Sequence, residues 1–260
     1  MEAQQIERAV GEVVRCRLAG RRLAKLAGID SEEAGYAVQR RANLELAKRL
    51  GPVAGHKIGG TASAMRAMLG WSQPVAGEVF RSTVQRSPGS FAFDTFLRPG
   101  IETEIAVRLG RDLPAADAPF DRAAVAAAVA EVFPAIEIVD DRYEDYRSAG
   151  AATVIADNAF HGASVLGRPA AGWRELDLAA LEARTWIDGV LVAEARSDAL
   201  MGHPFEALVW LANRRAALGL GLAAGSFVSL GTVTPVQWLA GPAHARIAIE
   251  GLGEVVVRLA

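Results

Sequence analysis

Glu102 and Glu104 stand two residues apart in Ile101-Glu102-Thr103-Glu104-Ile105. On an extended strand such positions point to one face, their bases about 7 Å apart. Two anions placed side by side repel each other. A divalent cation between them reverses the sign of that interaction. Alone, the pair is better explained as the solvent face of an amphipathic strand. A third carboxylate changes the balance. Glu137 sits in the apolar run Pro134-Ala135-Ile136-Glu137-Ile138-Val139. A buried charge has to be paired or bound to metal. Arg142, a few residues on, is one candidate partner; an ion shared with Glu102 and Glu104 is the other.

A donor set made only of carboxylates selects a hard ion, Mg²⁺ or Mn²⁺ rather than zinc. The 4 histidines, His56, His161, His203 and His244, are scattered and form no His-x-x-x-His pair. An octahedral ion held by Glu102, Glu104 and Glu137 would keep open positions. A 2-keto acid fills two of them with its carboxylate and its 2-oxygen, which the ion then polarises. Lys57, in Gly55-His56-Lys57-Ile58-Gly59-Gly60-Thr61, could contact such an anion or move a proton. It could equally be an ordinary loop lysine. Its glycines match neither a phosphate loop nor a dinucleotide fingerprint. In Ser229-Leu230-Gly231-Thr232 the backbone N–H groups and a hydroxyl could hold a substrate carboxylate, which makes Gly231 and Thr232 candidate substrate contacts.

The elements that must position these groups follow from periodicity and punctuation. A helix is expected over Gln4–Leu18. A second, capped by Asp30 with Glu33 in the capping-box position, runs through Ala34–Leu50 to Gly51-Pro52. A short one fits Thr61–Leu69. Ile101–Leu109 alternates with period two, as a strand does. Asp121 caps an Ala-rich helix expected to end before Pro134, and Ala135–Val139 reads as a buried strand. Asp188-Gly189 marks a hairpin, and Pro204 opens a helix closing near Gly219. Strands over Phe227–Leu230 and Pro235–Leu239 and a last hairpin, Ala245–Glu250 to Glu254–Leu259, complete the chain. Helices come first, and later strands do not alternate regularly with helices, so an α+β fold is expected. A helical N-terminal region, 1–75, precedes a strand-rich body, 76–260.

The chain has 260 residues, enough for one large domain, with a net charge of -2 from 28 basic and 30 acidic residues. No dense basic cluster marks a nucleic-acid surface. No apolar stretch is long enough to span a bilayer. Cys16 is the only cysteine, so no intrachain disulfide can form. With a start, Met1-Glu2-Ala3-Gln4-Gln5, too polar for a signal peptide, a cytoplasmic enzyme is expected.

Taken in order, these segments resemble a known group. They are the Lys57 segment, the Glu102/Glu104 strand, Ala135–Arg142, Asp157-Asn158-Ala159, Val165-Leu166-Gly167 and Pro204–Asn213. Together they are similar to the 2-keto-4-pentenoate hydratase and 4-oxalocrotonate decarboxylase group of the fumarylacetoacetate hydrolase superfamily. The likeness runs from about Lys57 to the final hairpin. It implies a mixed β-roll body and a metal on Glu102, Glu104 and Glu137, with Lys57 near the substrate. It also implies a lyase reaction on a small 2-keto or 2-hydroxydienoic acid from aromatic catabolism. Decarboxylation or C–C hydrolysis on the same site, or a catalytically weak ligand-binding paralogue, are the alternatives; a homo-oligomer is expected. Three stretches depart from the pattern. Pro74-Val75-Ala76-Gly77 stands where hydratases read Pro-Asp-aromatic-Gly, Leu230-Gly231-Thr232 replaces Thr-Gly-Ser, and Gly241-Pro242 replaces Gly-Asp. Without the Asp, low activity on the simplest pentadienoate is expected, with Glu78 the one nearby acid that could stand in if it turns inward.

Overall fold

The computed structural model describes residues 3–260, apart from the side chain of residue 64. Helix α1, Ala3–Leu18, buries Ile6, Ala9, Val10, Val13 and Cys16, one stripe at helical spacing. Helix α2 spans Glu32–Leu50. Its cap is Ser31 rather than the expected Asp30: Ser31 is extended and its hydroxyl accepts from Ala34 N, which leaves Asp30 outside the helix. Acids in the first turn and Lys48 and Arg49 in the last oppose the helix dipole. Next come β1 (Val53–Gly59), α3 (Ser63–Leu69), β2 (Val75–Phe80), β3 (Val84–Arg86), β4 (Gly89–Phe91) and β5 (Pro99–Leu109).

Helix α4 covers only Arg122–Ala128, capped by Asp121 as expected, and the chain switches at Val129 into β6, Val129–Asp140. The Ala-rich run therefore stops well short of Pro134, which lies inside the strand opposite Ile105. Pairing of Val129 and Val132 with β5 overrides the helix preference of the neighbouring alanines. The remainder is α5 (Tyr146–Ala156), β7 (His161–Leu166), β8 (Glu182–Ile187), β9 (Val190–Arg196), α6 (Pro204–Ala216), β10 (Phe227–Thr232), β11 (Gln237–Trp238), β12 (Ala243–Ile249) and β13 (Gly253–Leu259).

The strands form two mixed sheets. An 8-stranded sheet runs β2-β1-β10-β5-β6-β7-β3, with β11 paired to β5, and a 5-stranded sheet runs β4-β13-β12-β8-β9. The expected α+β architecture, N-terminal helices followed by curled mixed sheets, is the one observed. Residues of α1 and α2 such as Val13 and Ala42 share one apolar cluster with Ile101 and Ile105 of β5 and Ile247 of β12. On β5 the alternation separates two environments. Thr103 faces the second sheet, where its hydroxyl meets that of Thr185 at 2.6 Å. Glu102 and Glu104 point the other way. No helix among the described residues is long and apolar enough to cross a membrane.

Candidate metal centre

Sheet register brings the carboxylates together. β5 and β6 are antiparallel neighbours in which Glu102 lies directly opposite Glu137, and Glu104 opposite Ala135. One oxygen from each of Glu102, Glu104 and Glu137 lies within 4.8 Å of the other two. Bonds of about 2.1 Å to one octahedral ion impose oxygen separations of about 3–4 Å. Glu104 and Glu137 are fully buried, and Glu102 forms part of a pocket wall.

Each buried carboxylate uses one oxygen to be held and leaves the other without a hydrogen bond. Glu104 Oε2 accepts from the Ser229 hydroxyl and, at 3.0 Å, from Gly231 N. Glu137 Oε1 lies 2.9 Å from His161 Nδ1, and His161 Nε2 lies 3.1 Å from the Thr83 hydroxyl. Glu104 Oε1 and Glu137 Oε2 have no hydrogen-bond partner. The Gly231 donor is aimed by a bulge: Ser229 pairs with Ala106 and Thr232 with Glu104, so β10 carries one extra residue. Gly231 takes φ 104° there, and a Cβ would fall 2.6 Å from Thr61, so only glycine fits.

Lys57 projects from β1 to the same place. Its Nζ is 3.3 Å from Glu137 Oε2, in ion-pair range, and donates to Ala159 O at 2.9 Å. That carbonyl sits in a rare turn: Asn158, Ala159 and Phe160 all have positive φ, 58°, 49° and 66°. Left-handed non-glycine residues cost about 1 kcal/mol or more each and persist where surrounding structure over-determines them. Here Asn158 is fixed by Asn43 and by Glu78 N.

The electrostatics are those of crowded anions. Burial, then the charge of Glu137, raises the Glu102 carboxyl to about 7. Burial, Glu137 and Glu102 drive Glu104 well above the usual carboxylate range. Burial also pushes Glu137 upward, but Lys57 and His161 outweigh it and hold it ionised. Lys57 loses from burial and gains more from Glu137, Glu102 and Glu104, so it stays an ammonium. A cavity of about 330 Å³ opens onto this cluster, walled by Trp71, Val75, Phe160, Val236 and Trp238 and reaching Lys57, Glu102 and Thr232.

The family model for the fumarylacetoacetate hydrolase C-terminal region matches residues 65–260. The chain belongs to the fumarylacetoacetate hydrolase family. Within it, a 2-keto-4-pentenoate hydratase of Burkholderia vietnamiensis is 35% identical over 221 residues, 85% of this chain and 83% of the relative. A 2-hydroxyhexa-2,4-dienoate hydratase of Comamonas testosteroni is 34% identical over 203 residues, 77% and 76% of the two chains. A solved structure of 4-oxalocrotonate decarboxylase from Pseudomonas putida, complexed with magnesium and adipate, superposes with TM-score 0.93 at 26% identity, covering 100% of this chain and 99% of that one. The resemblance read from the sequence is therefore the family found.

On this member of the family, the sequence-derived positions Glu102, Glu104, Glu137 and Lys57 converge on one point. Gly231 is nearby, but its N–H is committed to Glu104. Thr232 lines the pocket, and its hydroxyl donates to Thr234 O. Arg142, the alternative partner for Glu137, instead binds Asp157 at 2.8 Å. Glu78 lies on the opposite face of β2 from the pocket, bound to Asn43 and paired with Arg215; it does not turn inward. His161, a histidine isolated in the sequence, Thr83 and the left-handed turn complete the site. Asn158, a residue type that tolerates positive φ, was the only local hint.

Proposed function

We propose that the chain is a divalent-metal-dependent lyase of the hydratase type, acting on a small 2-keto or 2-hydroxydienoic acid, with Mg²⁺ or Mn²⁺ held by Glu102, Glu104 and Glu137. The observation that carries this reading is three converging carboxylates with one counter-cation: Glu104 Oε1 is buried without a partner, and Glu137 Oε2, beside Glu102, has only the Lys57 ammonium at 3.3 Å. Buried carboxylates without partners are costly, and an all-oxygen set suits a hard cation. When bound, the ion supplies a Lewis acid for the 2-oxygen and carboxylate of the substrate.

The rest falls to the chain itself. Ser229 and Gly231 fix Glu104, and His161 fixes Glu137, so the ligand oxygens need little rearrangement. Lys57 enters as an ammonium at the pocket floor, where it donates to the substrate carboxylate or hands over a proton at Nζ. Trp71, Val75 and Phe160 keep bulk water from the chain of the substrate. Oligomer formation in the cytoplasm is part of the same reading, and light scattering on the purified protein tests the subunit count.

The test is binding of oxalate and pyruvate with and without metal, together with hydration of 2-hydroxydienoates followed by ultraviolet absorbance. Metal-dependent binding and dienoate consumption are expected; equal oxalate affinity after chelator treatment contradicts the reading. Decarboxylation is the second reading, favoured by the TM-score of 0.93 to a decarboxylase. Carbon dioxide release from 4-oxalocrotonate separates the two.

A further inference from the structure

The pocket is charged at one end only. Lys57 is the single cation and Glu102 the single anion among its described lining residues. Beyond them the wall is mostly apolar, with Thr61, Tyr146, Thr232 and Thr234 its uncharged polar members. On the face of β5 that carries Glu102, the next position is Gly100, about 7 Å along. A Cβ there would fall 2.7 Å from Val236 and 2.9 Å from Trp238, so both side chains press onto the strand beside the carboxylates. Opposite them stand Trp71 and Val75, both buried, and Phe160, whose ring packs edge-on against Tyr146 at 5.9 Å. Met65 and Met68 of α3 form the rim and are 38% and 58% exposed; flexible thioethers adapt to ligands of varied shape.

Of the guanidiniums beside the pocket walls, Arg147 lies over the Tyr146 ring at 5.7 Å, and two others are engaged by hydrogen bonds or an ion pair. Arg66 donates to the carbonyls of Gly60 and Thr61. Arg98 stacks on Trp238 and binds the Asp141 carboxylate at 3.1 Å. A second carboxylate at the far end of a substrate would therefore lose its hydration against Met, Val and Trp side chains with no cation among the lining residues there to receive it.

We propose that this pocket selects 2-oxo or 2-hydroxydienoic acids whose distal end is an uncharged apolar group, an alkyl chain or an aryl ring, and rejects dicarboxylates of the same length. The inference rests on the metal-site reading above and deepens it. It also sets this chain apart from its structural neighbour, which was crystallised with the dicarboxylate adipate.

The test uses saturated 2-oxo acids as probes on the Mg²⁺-loaded protein. 2-Oxobutanoate, 2-oxohexanoate, 2-oxooctanoate and 2-oxoadipate are titrated while the fluorescence of Trp71 and Trp238 is followed, with calorimetry as a second readout. Affinity should rise about threefold to fourfold per added methylene, the fold-change that ~0.8 kcal/mol of buried CH₂ gives. 2-Oxoadipate should bind at least about tenfold more weakly than its six-carbon twin 2-oxohexanoate, the scale of one polar group buried unpaired. Met68→Lys, on an exposed rim position, should close that gap and leave Mg²⁺ affinity unchanged. A flat chain-length series, or 2-oxoadipate binding as tightly as 2-oxohexanoate, overturns the proposal. If 2-oxobutanoate still needs metal in that case, the metal-site reading stands and only the selectivity falls. If all four probes bind equally well after chelator treatment, both fall.

Discussion

Two buried charge clusters lie back to back in this protein, and they are built on opposite rules. One is structural. Arg142 spends Nε and Nη2 on Asp157 and Nη1 on the carbonyl of His161 at 3.0 Å. Arg17 adds a bond to the same carbonyl at 2.6 Å and lies 3.7 Å from Asp157. Asp140 pairs with Arg142 at 3.7 Å and caps Arg98 N. Arginines and aspartates balance, and the guanidinium of Arg142 is saturated. The other cluster sets Glu102, Glu104 and Glu137 against Lys57 alone and leaves two carboxylate oxygens without a hydrogen bond. A fold that pairs one set of buried charges so fully has the means to pair the other. The contrast argues that the anionic excess is kept for a cation supplied from outside. His161 joins the two: its carbonyl belongs to the arginines and its ring to Glu137.

Removing a charge should therefore have opposite consequences on the two sides. Glu104→Gln keeps an acceptor for Ser229 and Gly231 but removes an anion from the crowded set. Turnover should fall by at least about 10³-fold, the scale of several kcal/mol of lost transition-state stabilisation. The melting temperature of the metal-free protein at neutral pH should rise, because burial and the neighbouring carboxylates hold the Glu104 carboxyl well above its unfolded range, and that displacement costs the folded state stability. A lower metal-free melting temperature would show that the carboxylates stabilise the fold, as the arginine cluster does.

Lys57→Met should lower kcat by about 10²–10³-fold, within the range for a lost proton donor, while metal affinity measured by calorimetry stays nearly intact. Full activity in this variant would make Lys57 a mere counter-ion of Glu137. Arg142→Met, in the balanced cluster, should cost about 3–5 kcal/mol of stability by stranding Asp157 and Asp140, read by urea denaturation. Its effect on kcat in the protein that remains folded should be small. A variant as stable as the parent would show that this cluster is not what holds the turn before β7.

The joint between the clusters gives a smaller effect. His161→Asn removes the ring from Glu137 without touching the backbone carbonyl, and should weaken metal binding by about 10–100-fold, the usual cost of losing a group that orients a ligand. Loss of the fold instead would assign His161 to the structural side.

The ligand side chains were legible in the sequence for a simple reason. Period-two alternation over Ile101–Leu109 fixes Glu102 and Glu104 on one face, and a Glu in the apolar run around Ile136 has to answer for its burial. What alternation cannot give is register. That Glu102 faces Glu137 depends on β5 and β6 being antiparallel neighbours, and chain order does not reveal it. The bulge at Gly231 hid the target of its N–H: Gly231, read with Thr232 as a substrate contact, holds Glu104 together with Ser229. His161 was invisible because its neighbours in space, Thr83 and Glu137, are far off in the chain. The fold class survived such local errors as the cap at Ser31, since those shift element boundaries and not the alternation that buries the sheets.

The central claim is that the three carboxylates, with Lys57 their one counter-cation, are a metal site. Calorimetric titration of Mn²⁺ into the chelator-stripped protein and into its Glu104→Ala variant tests it most directly, with near-ultraviolet circular dichroism to show that both are folded. The account predicts one saturable site per chain in the parent and none at comparable concentration in the variant. Unchanged Mn²⁺ affinity in a folded Glu104→Ala protein would contradict it.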